Sequence, residues 1–494
     1  WQMSESLTIA SADPNAWLDS KHPHYLKMDC LERWQRWRAV VDGFETQDVK
    51  KTFLPRTEIE LTADYEFRTK VTEFISVTES AVERITGAVF ANPARIESDN
   101  KFVTEFIKDC DGAGTGLVDF FETVSPEAQC MGIAFVGIDR EKAYTEEPIT
   151  TMAQEVASGS LQCYATLYTA EEVRNWQFDS TGELLWVIIG RKISRQDGPR
   201  GAVQYFEERR VIDRETVEIW RRAIDDRGRP IDDKSLWRLE ESVSHKLGVV
   251  PIVPVYGDYF DPMEGKSIHV GTMKADIARL NEESWATIDR YRHANQLLAL
   301  TSDRELKELQ VGHVFRLFQD EKLQYVSPTS VAFDAQERAI ARLKQDAITQ
   351  SGSNPAATSD APGSTTGESG IAQRVRFTHT EQRTIKKHAR SIVMGIEKIL
   401  RIVEQWLTGK IVEGGTKVSF FTSFDSIDPN DRTNAYMKLQ YAIGSESWHR
   451  HQLKKLAIET SPDATDEERD AMQKEIDAQS IQTQPDPQTQ GFGN

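Results

Sequence analysis

The chain has 494 residues, 28% charged and 39% hydrophobic, with a formal net charge of −18. That length exceeds what one hydrophobic core supports, so two or three subdomains are expected. The longest nearly apolar run, 249–256, carries Pro251 and Pro254 and is too short to span a membrane. The acidic balance argues against tight gripping of nucleic acid, which needs Lys and Arg to displace counterions from phosphates. It leaves open a wall past which DNA slides, because an acidic or neutral surface offers a polyanion no deep wells.

From Asn15 to Phe121 the pattern is mostly helical. Trp34, Trp37, Val40, Val41 and Phe44 form one amphipathic stretch, and Phe74, Ile75, Val77, Ala81, Val82, Ile85 and Val89 form another. Phe53, Leu54 and Pro55 mark the break between them. From Met131 to Val255 the period falls to two, with strands expected over 133–138, 184–193, 203–212, 217–224 and 236–243. The turns at 196–199 and 225–228 are those hairpins need, so this is a largely antiparallel region.

A helix–insert–helix pattern follows. Val270, Met273, Ile277, Leu280, Ile288 and Tyr291 recur at three-and-four spacing, and the other faces of that helix are charged. Two short β-type runs, 314–318 and 323–326, come next, then a second helix through Phe333, Ile340, Leu343, Ala347 and Ile348. The segment 351–370 has no large apolar side chain and contains Pro355 and Pro362, so it cannot bury a core and is exposed. Ile371 to Ile411 reads as one long helix, roughly 60 Å at 1.5 Å per residue, with Ile385, Ile392, Ile396, Ile399, Val403 and Trp406 on one stripe. A β-type run at 418–421 precedes helices over 431–458 and 466–478, with Thr465 and Glu468 at capping-box spacing. The Gln/Pro/Gly-rich tail from Ser480 is expected to be disordered.

Few residues point to chemistry. Cys30, Cys110, Cys130 and Cys163 are scattered, with no CxxC and no His at ligand spacing, so reduced thiols in a cytosolic setting are expected. The opening residues lack the basic-then-apolar pattern of a signal peptide. The glycine-rich stretch 111–117 fails the dinucleotide fingerprint at Leu117 and has no preceding apolar strand, so it reads as a turn between helices. The stretch 363–367 lacks the lysine of a phosphate loop. His22 with His24, and His449 with His451, lack further ligands at useful spacing. The acidic runs at Glu146-Glu147, Asp225-Asp226 and Asp232-Asp233 sit in turn-like sequence; the last two are where a hydrolase would place acid residues.

The order and spacing of several motifs resemble the portal proteins of tailed bacteriophages, the head-tail connectors of a siphophage-type family. The motifs are Trp34 to Phe44, Phe53-Leu54-Pro55-Arg56, Tyr65-Glu66-Phe67-Arg68-Thr69, and Ile85-Thr86-Gly87-Ala88-Val89-Phe90 with Pro93 following. To these are added 111–121, the YTAEEVRNW stretch ending at Trp176, and Val250-Pro251-Ile252-Val253-Pro254 leading to Ser267. The resemblance implies an α+β, portal-type fold assembled as a ring of about twelve subunits. Its parts would be a wing over 1–264 (helical, then antiparallel β), a first stem helix over 265–297, a clip over 298–330 and a second stem helix over 331–350. A tunnel loop over 351–370, a long wing helix and returning strand over 371–428, a crown over 429–479 and a disordered tail over 480–494 complete it.

The implied function is a channel at one capsid vertex for packaging and ejecting double-stranded DNA, with no catalysis and no cofactor. Asn354, Ser364, Thr365, Thr366, Lys344, Arg374 and Arg376 would face the DNA. Arg304, Lys307, Glu308, Arg316, Asp320 and Lys322 would form the clip's docking face for the large terminase subunit and later the head-completion adaptor. Further implied partners are the major capsid and scaffold proteins, and no membrane. The expected location is the virion, after assembly in the host cytoplasm. The competing expectations are a soluble α+β, hydrolase-like enzyme using Asp225, Asp226, Asp232 or Asp233, and another phage structural or adaptor protein.

Overall fold

The computed structural model describes residues 13–23, 30–58, 60–91, 94–140, 162–196, 198–231, 236–245, 247–294, 297–301, 322–326, 330–351, 381–408 and 416–419, and parts of 448–478. The chain divides into two compact units, Trp1–Phe420 and Phe421–Asn494.

The first unit opens with helices α1 (Pro14–Trp17), α2 (Cys30–Val41), α3 (Gln47–Phe53), α4 (Thr62–Val71) and α5 (Val77–Phe90). The apolar spacing in α2 does what it predicts: Trp34, Trp37 and Val40 are buried. The Trp34 indole N–H donates to the Met131 carbonyl at 2.9 Å. Phe44 lies in the left-handed region at φ 54°, and its ring is held edge-on by Phe53 and Phe74. Thr46 and Ser76 cap α3 and α5 by accepting from the Val49 and Glu79 amides. One expectation fails here: α5 begins at Val77, so Phe74 and Ile75 precede the helix and Ile75 is 83% exposed.

After β1 (Arg95–Ser98) and α6 (Lys101–Lys108) comes α7 (Leu117–Met131), then the strands β2 (Ile133–Arg140), β3 (Cys163–Tyr168), β4 (Val173–Phe178), β5 (Leu184–Gln196), β6 (Val203–Asp213), β7 (Thr216–Ile224), β8 (Arg238–Ser244) and β9 (Ile252–Tyr256). They form two antiparallel sheets, in the orders β3-β2-β9 and β4-β5-β6-β7-β8. Pro254 is tolerated because β9 is an edge strand among the described residues. β3, β4 and β9 were not among the expected strands. At the centre of the larger sheet, Glu207 accepts from Arg209 and Arg222, and Glu208 from Arg210 and Arg221. Burial alone would push both carboxyls up; the arginines paired with them, Arg209 foremost at Glu207 and Arg210 at Glu208, outweigh it and hold both below the usual range.

A hairpin of β10 (Asp258–Asp261) and β11 (Glu264–Lys266) leads into α8 (Val270–Ala294). Gly132, at φ 90°, lies where any Cβ would strike the Gly265 carbonyl of this hairpin. Then come β12 (Leu297–Thr301), β13 (Lys322–Val326), α9 (Ser330–Gln350), α10 (Glu381–Thr408) and β14 (Thr416–Ser419). β14 returns to pair antiparallel with β1. The stripe on α10 is buried as expected at Ile385, Ile392, Ile396, Ile399 and Val403, the last four packing with Phe121, Val136 and Val255. The described part of this helix is 28 residues, about 42 Å at the α-helical rise; 371–380 lie outside the described residues.

Of the second unit, α11 (Asp466–Ala478) is described and matches its expected bounds, with Asp477 paired to Lys454 at 2.7 Å. Thr465, most of 431–458 and the tail from Ser480 lie outside the described residues. No described helix is long and apolar enough to cross a membrane.

Candidate functional site: a helix pair, its hairpin and its docking cluster

The expected helix–insert–helix order is present, with corrected edges. The first helix starts at Val270, because Glu264–Lys266 is strand, and it ends at Ala294. Leu297, expected to end the helix, instead opens β12, whose five residues pair antiparallel with β13 from Leu297↔Val326 to Thr301↔Lys322. The expected run 314–318 lies outside the described residues. Two contacts fix the helices as antiparallel neighbours. Arg290 near the end of α8 meets Glu337 near the start of α9 at 2.8 Å, and Gly271 at the start of α8 abuts Gln350 at the end of α9. A chain that leaves along one helix, turns through a hairpin and returns along the other makes a two-helix stalk with a β tip.

The stalk is seated on α2, α4 and α5 by the face of α8 that the sequence marks as charged. Met273, Leu280 and Ile288 are buried as expected. Tyr291, placed on the same stripe, is 54% exposed and packs against Phe67. The charged face is buried too: Asp276 is fully inaccessible and Arg279 is 2% exposed. Asp276 Oδ2 accepts from the Val77 and Thr78 amides at 3.0 and 2.9 Å, and from the Ser76 and Thr78 hydroxyls at 3.2 and 2.8 Å. It therefore caps α5 from another helix, with the positive end of that helix dipole facing the carboxylate. Arg279 pairs with Asp276 at 3.5 Å and Glu283 at 3.1 Å, donates to the Ile75 carbonyl, and lies over the Phe74 ring.

A second anchor lies farther along α8. Fully buried Arg68 forks onto Glu60 at 2.8 and 3.0 Å, donates to Ser284 and the Pro55 carbonyl at 2.9 Å each, and stacks over Trp285 at 4.1 Å. The Arg68 hydrogen bonds hold the Glu60 carboxyl below the usual range. Sequence reading missed both anchors. Their signal was Asp276, Arg279 and Glu283 at helical spacing, which without tertiary context looks like a solvated face.

Between α5, α8 and α9 lies a cleft of about 720 Å³ lined by Arg84, Arg279, Arg290, Lys344, Glu73, Glu283 and Ser351, among others. Burial pushes the Glu283 carboxyl up, and nearby cations, Arg279 foremost and Lys344 least, pull against it. Arg84 donates to the Ser351 carbonyl at 2.8 Å, which pins the residue from which the polar 352–370 segment departs. Of the predicted DNA-facing residues, Lys344 is exposed on this cleft; Asn354, Ser364, Thr365, Thr366, Arg374 and Arg376 lie outside the described residues. Of the predicted tip residues, Lys322 is exposed on β13; Arg304, Lys307, Glu308, Arg316 and Asp320 lie outside them.

The remaining chemical candidates resolve into structure. In the 111–117 loop the amides of Gly112 and Gly114 donate to Asp109, and those of Ala113 and Thr115 to Asp111. The chain's own carboxylates fill the place a phosphate would take, as the turn reading expects. Asp225 caps its turn by accepting from the Arg227 and Arg229 amides; Asp232, Asp233, Glu146 and Glu147 lie outside the described residues. His22 stacks on Trp176 at 4.0 Å. Ser125 and His388 meet at 2.8 Å, a hydroxyl–imidazole pair that sequence reading did not single out, and both are fully buried. All four cysteines are buried and free. Burial pushes the Cys30 thiol up to about 11 and those of Cys110, Cys130 and Cys163 to about 12. Among the described residues no group of His, Cys, Asp and Glu could hold a metal ion.

No family model matches the chain, and no curated protein matches it. Among solved structures it is similar to a chain in the neck of an empty gene transfer agent (GTA) particle computed with C6 symmetry, at 12% identity, 75% coverage of this chain, 88% of that chain and a TM-score of 0.42. It is similar also to a chain in the neck of a native GTA particle computed with C12 symmetry, at 13% identity, 76% and 88% coverage and a TM-score of 0.38. A chain in the virion of a native GTA particle gives 12% identity, 74% and 87% coverage and a TM-score of 0.37. Likeness at this level assigns neither family nor assembly. What the described residues establish is an α+β architecture in which a buried polar cluster seats a two-helix stalk on a helical and antiparallel-β body.

Proposed function

We propose that the chain is a phage structural protein, the subunit of a portal ring at one capsid vertex. The observation that carries the reading is the seated stalk: α8 and α9 run antiparallel, end in the β12–β13 hairpin, and are locked to the body through Asp276 and Arg68. In a ring of about twelve copies the α8–α9 stalks would line a channel for double-stranded DNA, and their tips would present Lys322 and its neighbours to the large terminase subunit and later to a head-completion adaptor. The polar 351–370 segment would enter the lumen, where Asn354, Ser364, Thr365 and Thr366 offer exchangeable hydrogen bonds to phosphates. The net charge of −18 keeps such contacts from becoming traps. In this reading the chain performs no catalysis, binds no cofactor, contacts capsid and scaffold proteins and resides in the virion. The buried Ser125–His388 pair serves packing.

The test is the native mass of purified protein by light scattering, with negative-stain images of the same sample. Rings of about twelve chains with a central hole are expected. A strict monomer without rings at the highest soluble concentration refutes the reading. Deleting 353–364 is expected to leave rings intact and to impair DNA filling.

A further inference from the structure

A second cavity, about 780 Å³, lies away from the stalk cleft, between α2, the β10–β11 hairpin and the first turns of α8. Its walls carry four basic side chains against two acidic ones. Arg33 is already engaged with Glu264 at 2.8 Å. Lys266 lies over the Phe260 ring at 4.4 Å, and Phe260 is itself half exposed. Arg36 and Lys274 are exposed on opposite walls and form no ion pair with any described residue. Apolar lining comes from Trp37, Met131 and Val270. In a chain with 78 acidic and 60 basic residues, a basic, apolar-floored groove with unpaired cations is a local inversion of the surface charge.

We propose that this groove binds an acidic peptide segment of a partner protein, one that carries an apolar anchor. The chemistry selects a peptide over a small anion. Exposed Glu32 shares the wall and repels a compact multivalent anion, while Glu264 is neutralised by Arg33; a peptide spaces its carboxylates to meet Arg36 and Lys274 and turns a backbone N–H toward Glu32. The volume suits a few residues and one apolar side chain rather than a folded domain, and exposed Phe260 gives that side chain a rim to pack on. The proposal is independent of ring formation.

The experiment is fluorescence anisotropy on the full chain with a fluorescein-labelled Asp/Glu peptide carrying leucine and phenylalanine. Binding is expected to weaken about tenfold between low and physiological salt. It should fall by a similar factor, about tenfold, in Arg36→Glu/Lys274→Glu. Lys101→Glu, a single charge reversal on α6 outside the groove, should leave it intact. The Arg36→Gln/Lys274→Gln pair replaces the reversal if that variant does not fold. Unchanged affinity in the groove variants overturns the proposal, as does equal binding of an uncharged Ser/Leu/Phe peptide. Displacement of the labelled peptide by inorganic phosphate at matched charge would reduce the groove to an anion site. Self-association that disappears in the groove variants would make the occupant a second copy; either result overturns the partner assignment.

Discussion

Acidification from pH 7 to pH 5 is expected to destabilise the first unit through two histidines whose protonation the fold forbids. His269 Nε2 lies 3.0 Å from Gln129 Oε1, Gln129 Nε2 donates to Thr86 and Ser125 at 2.8 and 2.9 Å, Ser125 Oγ meets His388 Nε2 at 2.8 Å, and His388 Nδ1 lies 3.2 Å from the Tyr256 carbonyl. Donor and acceptor roles follow around the chain. Gln129 donates an N–H hydrogen bond to Ser125 Oγ, so the serine hydroxyl points at His388 Nε2 and the His388 proton sits on Nδ1, facing Tyr256. His269 carries its proton on Nε2, leaving Nδ1 buried with no partner among the described residues.

Burial pushes His269 down to about 3, helped by His388 and Arg84, and His388 down to about 4 against the pull of the Tyr256 and Gly257 carbonyls. Both groups are neutral in folded and unfolded chains above pH 6.5. Below it only the unfolded chain takes up protons, so stability falls as pH drops toward the folded values. At pH 5, 1.5 units below the ordinary histidine value, the loss is ~2 kcal/mol per histidine, or ~4 kcal/mol for the pair. For a cooperative unit of this size that is a fall of roughly 5 °C in Tm. The assay compares thermal midpoints at pH 7 and pH 5 for the wild type and for His269→Gln/His388→Gln. The variant keeps polar groups in the chain and is expected to lose about 5 °C less between the two pH values. An identical pH dependence in both proteins would show that the histidines titrate as solvated groups and would refute the argument.

Asp276→Ala removes one of the two carboxylates paired with buried Arg279 and leaves the Val77 and Thr78 amides of α5 without their acceptor, so a loss of about 3–5 kcal/mol is expected, read as a lower Tm and faster proteolysis near α8. Gly132→Ala forces a Cβ onto the Gly265 carbonyl from a left-handed backbone, with an expected cost above about 1–3 kcal/mol; near-native stability would mean the hairpin shifts freely. The four cysteines should resist a thiol reagent at pH 8 in the native protein and react fully in denaturant, because burial raises every thiol; rapid native labelling would contradict the packing.

What the sequence by itself determined is what local periodicity encodes. The tryptophan stripe of α2 and the isoleucine stripe of α10 each need only their own three-and-four spacing to declare a buried face. The long strands β5, β6 and β7 need only alternation and strong turns. The helix–insert–helix order was legible for the same reason, as was the failure of 111–117 as a phosphate loop, since its turn is built from Asp109 and Asp111 a few residues away.

Only the tertiary structure decided which faces meet. Leu297 is expected to close the helix and 298–301 carry no strand signal of their own; the strand Leu297–Thr301 is fixed by Lys322–Val326, more than twenty residues on. β14 finds β1 across most of the chain. The charged face of α8 looks solvated until α5 presents its unsatisfied amides to Asp276, and Arg68 looks like one more surface arginine until Glu60, Ser284 and Trp285 close around it. The physical reason is the same in each case. A buried polar group or an edge strand is stable only when its partner is present, and these partners lie far away in sequence, where periodicity carries no information about them.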